Sequence, residues 1–143
     1  MTIKRLHISG VRNLEKVEID DCGSVNIFTG ANGSGKTSVL ESLFILARAR
    51  SFRSTKLGPV INHLATRCVV FGELLDQSTI GVMRSRNDQQ LFKINGNPVH
   101  TASQLAEQLP LQFINAESFS FLEGGPRVRR RFRDWRVFHV EPE

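Results

Sequence analysis

The sequence predicts an α/β fold, and three observations carry that expectation. The first is a short apolar run, Val25, Ile27 and Phe28, of the kind a buried strand needs. The second is the turn after it, where Gly30, Ala31, Asn32, Gly33, Ser34, Gly35, Lys36 and Thr37 fit G-x-x-x-x-G-K-S/T. In that pattern bare backbone closes round a polyphosphate. The third is the recurrence of Val39, Leu40, Leu43, Phe44, Leu46 and Ala47 with the helical period of about 3.6 residues. Strand, glycine loop and helix stand in the order a phosphate-binding loop requires. The helix N-terminus then aims its dipole and free N–H groups at the anion.

The residue types suit one ligand class. Glycine lets backbone approach the phosphates and accept positive φ without a Cβ penalty. Lys36 supplies a compact charge for the terminal phosphates. The Thr37 hydroxyl completes a Mg²⁺ shell that otherwise keeps water and phosphate oxygens. Ser38, next in the first helical turn, joins the binding set. The expected ligand is a nucleoside triphosphate with Mg²⁺.

Ahead of this unit, Leu6 and Ile8, then Val17 and Ile19, alternate with polar residues on either side of SGVRNLEK, which reads as two strands joined by a short excursion. DDCGS supplies turn residues before the third strand. After the helix, RARSFRSTKLGP is a basic connection, and VINHLA reads as a short helix begun at Pro59. CVVFGELL, STIGVMRS and LFKING are strand candidates punctuated by RNDQQ and NGNP, so this block reads as an antiparallel meander within a mixed sheet. Thr101 and Gln104 form a capping box ahead of Leu105, Ala106 and Leu109, which places a short helix there; LQFIN then reads as a buried strand.

The tail GGPRVRRRFRDWRVFHV predicts a final helix. Pro126 suits its first position, and Val128, Phe132 and Trp135 share one apolar face. Arginines fill the remainder, with Arg129, Arg130 and Arg133 as candidates for contact with DNA phosphates; the alternative is a solvated basic face. No aromatic ladder accompanies them, which disfavours base stacking.

A chain of 143 residues suits one domain, and its formal charge of +5 favours a polyanionic partner. Cys22 and Cys68 lack C-x-x-C or histidine spacing, which argues against zinc or a disulfide framework and for a reducing, cytoplasmic setting. No leader opens the chain, and no apolar run approaches the roughly 20 residues of a membrane helix, so no membrane partner is expected. His7, His63, His100 and His139 show no metal or triad spacing, and Glu41, in mid-helix, reads as a solvated or paired carboxylate rather than a catalyst.

The segments ISGVRNLEKVEID, GANGSGKTSVLES, ARARSFRS and GGPRVRRRFRDWRVFHVEP together resemble the amino-terminal part of the RecF family of bacterial DNA replication and recombinational repair proteins. The likeness spans almost the entire chain. It implies an incomplete P-loop NTPase head of ABC/SMC type, with residues 1–143 its amino-terminal part and the carboxy-terminal half absent. In such heads two copies sandwich ATP between the phosphate loop of one and a signature motif of the other. The resemblance further implies an ATP-dependent homodimer of the full-length protein, DNA (single-stranded or gapped duplex) and recombination mediator proteins as partners, and a part in the SOS response.

By that resemblance Arg12 and Asn13 match an R-N pair near the nucleotide. The end of LQFINAES falls where related heads place a metal- and water-contacting residue, with Asn115 or Glu117 as candidates because Gln112 stands early in the segment. The sequence also departs from the family: Arg133 stands at a position where an apolar residue is usual, and Arg136 where a small one is. The signature, the acidic Walker B strand and the switch histidine belong to the family's carboxy-terminal half. The full-length family is a weak ATPase. This chain is expected to bind ATP without hydrolysing it alone, since Lys36 cannot activate water. Two other readings stay open: the head of another ABC-type ATPase, and a non-catalytic interaction module. The first places an adenine-stacking aromatic ahead of the loop, where Phe28 stands one strand position too close.

Overall fold

The computed structural model describes residues 2–56 and 58–114. The chain divides into two units after Leu109. The first begins with a hairpin of β1 (Ile3–Val11) and β2 (Leu14–Ile19), in register from Leu6↔Ile19 to Val11↔Leu14. Its turn is two residues long, and Arg12 takes the left-handed conformation with φ 53°. Period-2 alternation puts Leu6 and Ile8 on the core face, where both are buried.

β3 (Arg67–Leu74), β4 (Thr79–Ser85), β5 (Gln90–Ile94) and β6 (Asn97–Val99) form the expected meander. The hairpin from β5 to β6 turns on Asn95 and Gly96, both at positive φ, as the Asn-Gly pair foretells. β3 docks on the free side of β1, giving the order β2-β1-β3-β4-β5-β6 with every described pairing antiparallel. Helix α1 (Lys36–Arg48) lies across β1, β3 and β4 and packs against α2 (Ala102–Gln108). Ile45 and Leu46 of α1, Leu105 of α2, and Val70, Ile80 and Val82 of the sheet make the centre of the core. The helix sits close because β3 offers Gly72 beneath it; a Cβ there would stand 2.7 Å from Leu46 Cδ2. The capping box of α2 is present, with the Thr101 N–H donating to Gln104 Oε1 at 3.2 Å.

Three expected elements differ. Val25, Ile27 and Phe28 form no strand, and Val25 and Ile27 are 79% and 82% exposed. A buried strand needs a ladder on each side, and no described strand pairs with this segment. VINHLA is not a helix but a 3-10 turn (Gly58–Val60) followed by a bridge from Ile61 to Val11. Its backbone groups are taken by the end of the first hairpin: Arg12 N–H donates to Val60 O at 2.7 Å, and Asn62 N–H to Gly10 O at 2.9 Å. Of the second unit, residues 111–114 carry no strand. The expected tail helix lies outside the described residues, as do Asn115 and Glu117.

Candidate functional site

The loop from Gly30 to Thr37 is built on left-handed backbone, with φ of 144° at Gly30, 81° at Gly33 and 99° at Gly35. Gly35 is required twice over. Its φ penalises any side chain, and a Cβ would stand 2.6 Å from Leu14 Cδ2. That close approach brings the turn of the first hairpin against the loop. Asn13 Nδ2 donates to Gly33 O at 2.9 Å, and Asn13 Oδ1 accepts from Ser38 Oγ at 2.8 Å. One amide side chain therefore ties the middle of the loop to the first turn of α1.

Lys36 curls back over the loop and donates from Nζ to Gly30 O and Ala31 O, each at 2.7 Å. Ser34 N–H closes a turn onto Ala31 O at 3.2 Å. Thr37 is exposed and lines the cleft beside the loop. One turn further along α1, Glu41 is fully buried. Arg12 grips it through Nε (2.9 Å) and Nη2 (2.8 Å), while Arg12 Nη1 donates to Pro59 O at 2.9 Å. Ser51 Oγ also donates to Glu41, and Arg53 Nη1 stands 3.8 Å away. Burial alone would push the Glu41 carboxyl up, but the bonds from Arg12 and Ser51 and the charges of Arg12 and Arg53 together hold it below the ordinary carboxylate value. The bond to Glu41 in turn raises the Arg12 guanidinium.

The loop and the turn of the first hairpin border a cleft of about 680 Å³, a size that suits a small-molecule ligand. Of the sequence-predicted set, Arg12, Asn13, Asn32, Gly33, Gly35, Lys36, Thr37 and Ser38 line it. Gly30, Ala31 and Ser34 belong to the loop but do not line the cleft. Arg129, Arg130 and Arg133 lie outside the described residues. The structure adds Arg53, Pro59, Ile61 and His63 to the wall. Sequence reasoning noted the basic character of the segment holding Arg53, but no local pattern returns residues 53–63 to the loop. Among the described lining residues there are two arginines and a lysine and no carboxylate, so the cleft suits a polyanion. No group of three or more histidine, cysteine or acidic side chains capable of holding a metal occurs among the described residues, nor is any described helix long and apolar enough to cross a membrane.

The RecF/RecN/SMC N terminal domain family matches residues 2–126. A DNA replication and repair protein RecF of Pseudomonas entomophila (strain L48) is 52% identical over 146 residues, covering 99% of this chain. That of Pseudomonas savastanoi pv. phaseolicola is 51% identical over the same span. The chain spans 40% of the length of each. Among solved structures, one of the recombination mediator protein RecF with ATP in the RecFOR pathway superposes with a TM-score of 0.83 at 24% identity, over 98% of this chain and 39% of that one. Another, from work on ATP-driven dimerization and DNA stimulated activation of SMC ATPases, gives 0.76 at 18% identity, over 94% of this chain and 99% of that one. The architecture is thus that of a fragment of an ABC/SMC-type P-loop ATPase head.

Proposed function

Because the chain belongs to the RecF/RecN/SMC N-terminal domain family and RecF proteins match it along its length, we propose that it binds ATP with Mg²⁺ in the cleft beside Gly30–Thr37, as part of a protein of bacterial DNA replication and recombinational repair. The observation that carries this reading is the wall of the cleft: a glycine loop opening a helix, faced by Lys36, Arg12 and Arg53, with no described carboxylate. The loop N–H groups and the start of α1 take the phosphates. Lys36 exchanges its two loop carbonyls for terminal phosphate oxygens, a change from neutral to charge-assisted acceptors. Thr37 fits Mg²⁺ as a single hydroxyl ligand, since this ion keeps waters and substrate phosphates instead of an all-protein cage.

Hydrolysis needs a group that orients water. Among the described residues no carboxylate lines the cleft, and Glu41 is held by Arg12; on this reading the chain binds nucleotide without appreciable turnover. The same reading makes the full-length protein an ATP-dependent dimer acting on single-stranded or gapped DNA with recombination mediators, in the cytoplasm and in the SOS response. Isothermal calorimetry tests the binding step. Mg-ATP should bind the wild-type chain and bind Lys36→Ala at least about tenfold more weakly, the loss expected for one charge-assisted contact; equal affinities would remove the assignment.

A further inference from the structure

Glu41 is a carboxylate with no exposed surface, on the helix that opens from the phosphate loop. It does not line the cleft, yet two cations that do, Arg12 and Arg53, are bound to it. They arrive from separate segments, the turn of the first hairpin and the connection after α1. Arg12 is fixed: two nitrogens donate to Glu41, and the third donates to Pro59 O. Arg53 is held by charge rather than by a hydrogen bond, at 3.8 Å and with a side chain 48% exposed. Ser51 fastens the same connection, donating to Glu41 while its Oγ accepts from Arg53 N–H (2.9 Å) and Ser54 N–H (3.0 Å). A buried carboxylate is costly in a helix face that an apolar side chain would fill without desolvation. Here its two charged partners both stand in the wall of the cleft.

Building on the ATP-binding reading above, we propose that Glu41 is a positioning residue for the phosphate cleft, clamping Arg12 as a fixed cation and anchoring residues 51–54 so that Arg53, held only by a loose ion pair, can turn to the polyphosphate. Glu41 touches no ligand itself. Charge alone predicts the opposite effect for its removal, since deleting a negative group beside an anion site strengthens anion binding. Glu41→Gln separates the two. Glutamine keeps the size, but offers one acceptor oxygen in place of two and sets an NH₂ against guanidinium donors.

Calorimetry with Mg-ATP on the 143-residue chain should show Glu41→Gln weakened by about tenfold, one charge-assisted contact's worth. The loss should be non-additive with Arg12→Ala, the double variant binding little worse than Arg12→Ala alone. A purely structural role would instead give additive losses or a lower melting temperature with unchanged affinity. Glu41→Asp, which retains the charge but withdraws it by one methylene, should also weaken binding and serves if Glu41→Gln folds poorly. Wild-type affinity or tighter in Glu41→Gln and Glu41→Asp, with binding lost in Lys36→Ala, overturns the positioning role alone. Absence of binding to the wild-type chain overturns the ATP reading and this role with it.

Discussion

Arg12 shows how one residue can serve the fold and the site together. It adopts positive φ in a two-residue turn, its N–H donates to Val60 O, and its guanidinium neutralises the buried Glu41. Arg12→Ala leaves that carboxylate short of its main partner, which should cost about 3 to 5 kcal/mol at neutral pH, the loss seen when a buried pair is broken. The pH dependence follows from the lowered Glu41 carboxyl. A depressed folded value contributes stability above the unfolded carboxylate value, about 4.3, and that contribution is lost as pH falls through the lower folded value. The gap in urea midpoint between wild type and Arg12→Ala should therefore be widest near neutrality and narrow on acidification. A gap that stays constant into the acid range would show that the loss comes from the turn and not from the ion pair.

Helix α1 is governed by the sheet beneath it. Its first turn is tied to the turn of the first hairpin through Ser38 and Asn13 and its middle turn holds Glu41, while Ile45 and Leu46 plug into the core. Close packing of Leu46 on Gly72 fixes how near the helix, and with it the loop, lies to the strands. Gly72→Ala should cost about 1 to 3 kcal/mol by overpacking, and Leu46→Ala about 2 to 5 kcal/mol by leaving a cavity. Because the added methyl occupies space that Leu46 vacates, the double variant should cost less than the sum. Chemical denaturation of the three variants checks this, and strict additivity would mean that the two side chains do not share the gap.

Over the whole molecule, the formal charge of +5 favours a polyanionic partner. If Arg129, Arg130 and Arg133 touch DNA phosphates, affinity should fall linearly with salt on logarithmic axes, and replacing all three with alanine should reduce the slope by about three. Sequence preference should barely change, because phosphate contacts position without reading bases. Salt titrations of duplex and gapped DNA, with a thermal melt alongside, decide it. Unchanged slopes with normal melting would assign these arginines to solvation.

What the sequence by itself determined is local. The glycine loop, the helix after it, the hairpin around Arg12–Asn13, the meander and the capping box of Thr101 and Gln104 are written in contiguous spacing or in a period of side chains, and a short window holds the whole signal. The tertiary structure decided whatever depends on residues distant in sequence. Val25, Ile27 and Phe28 read as a strand, but a strand exists only where another supplies its ladder, and no described strand does. Residues 60–62 lose a helix to backbone partners in the first hairpin. Glu41 meets Arg12 across 29 positions, and Arg53 and His63 reach the cleft wall by the path of a connection that has no period of its own. Such contacts are set by how β3 docks beside β1 and how α1 lies on both, and burial that arises from chain return leaves no mark on the residues nearby in sequence.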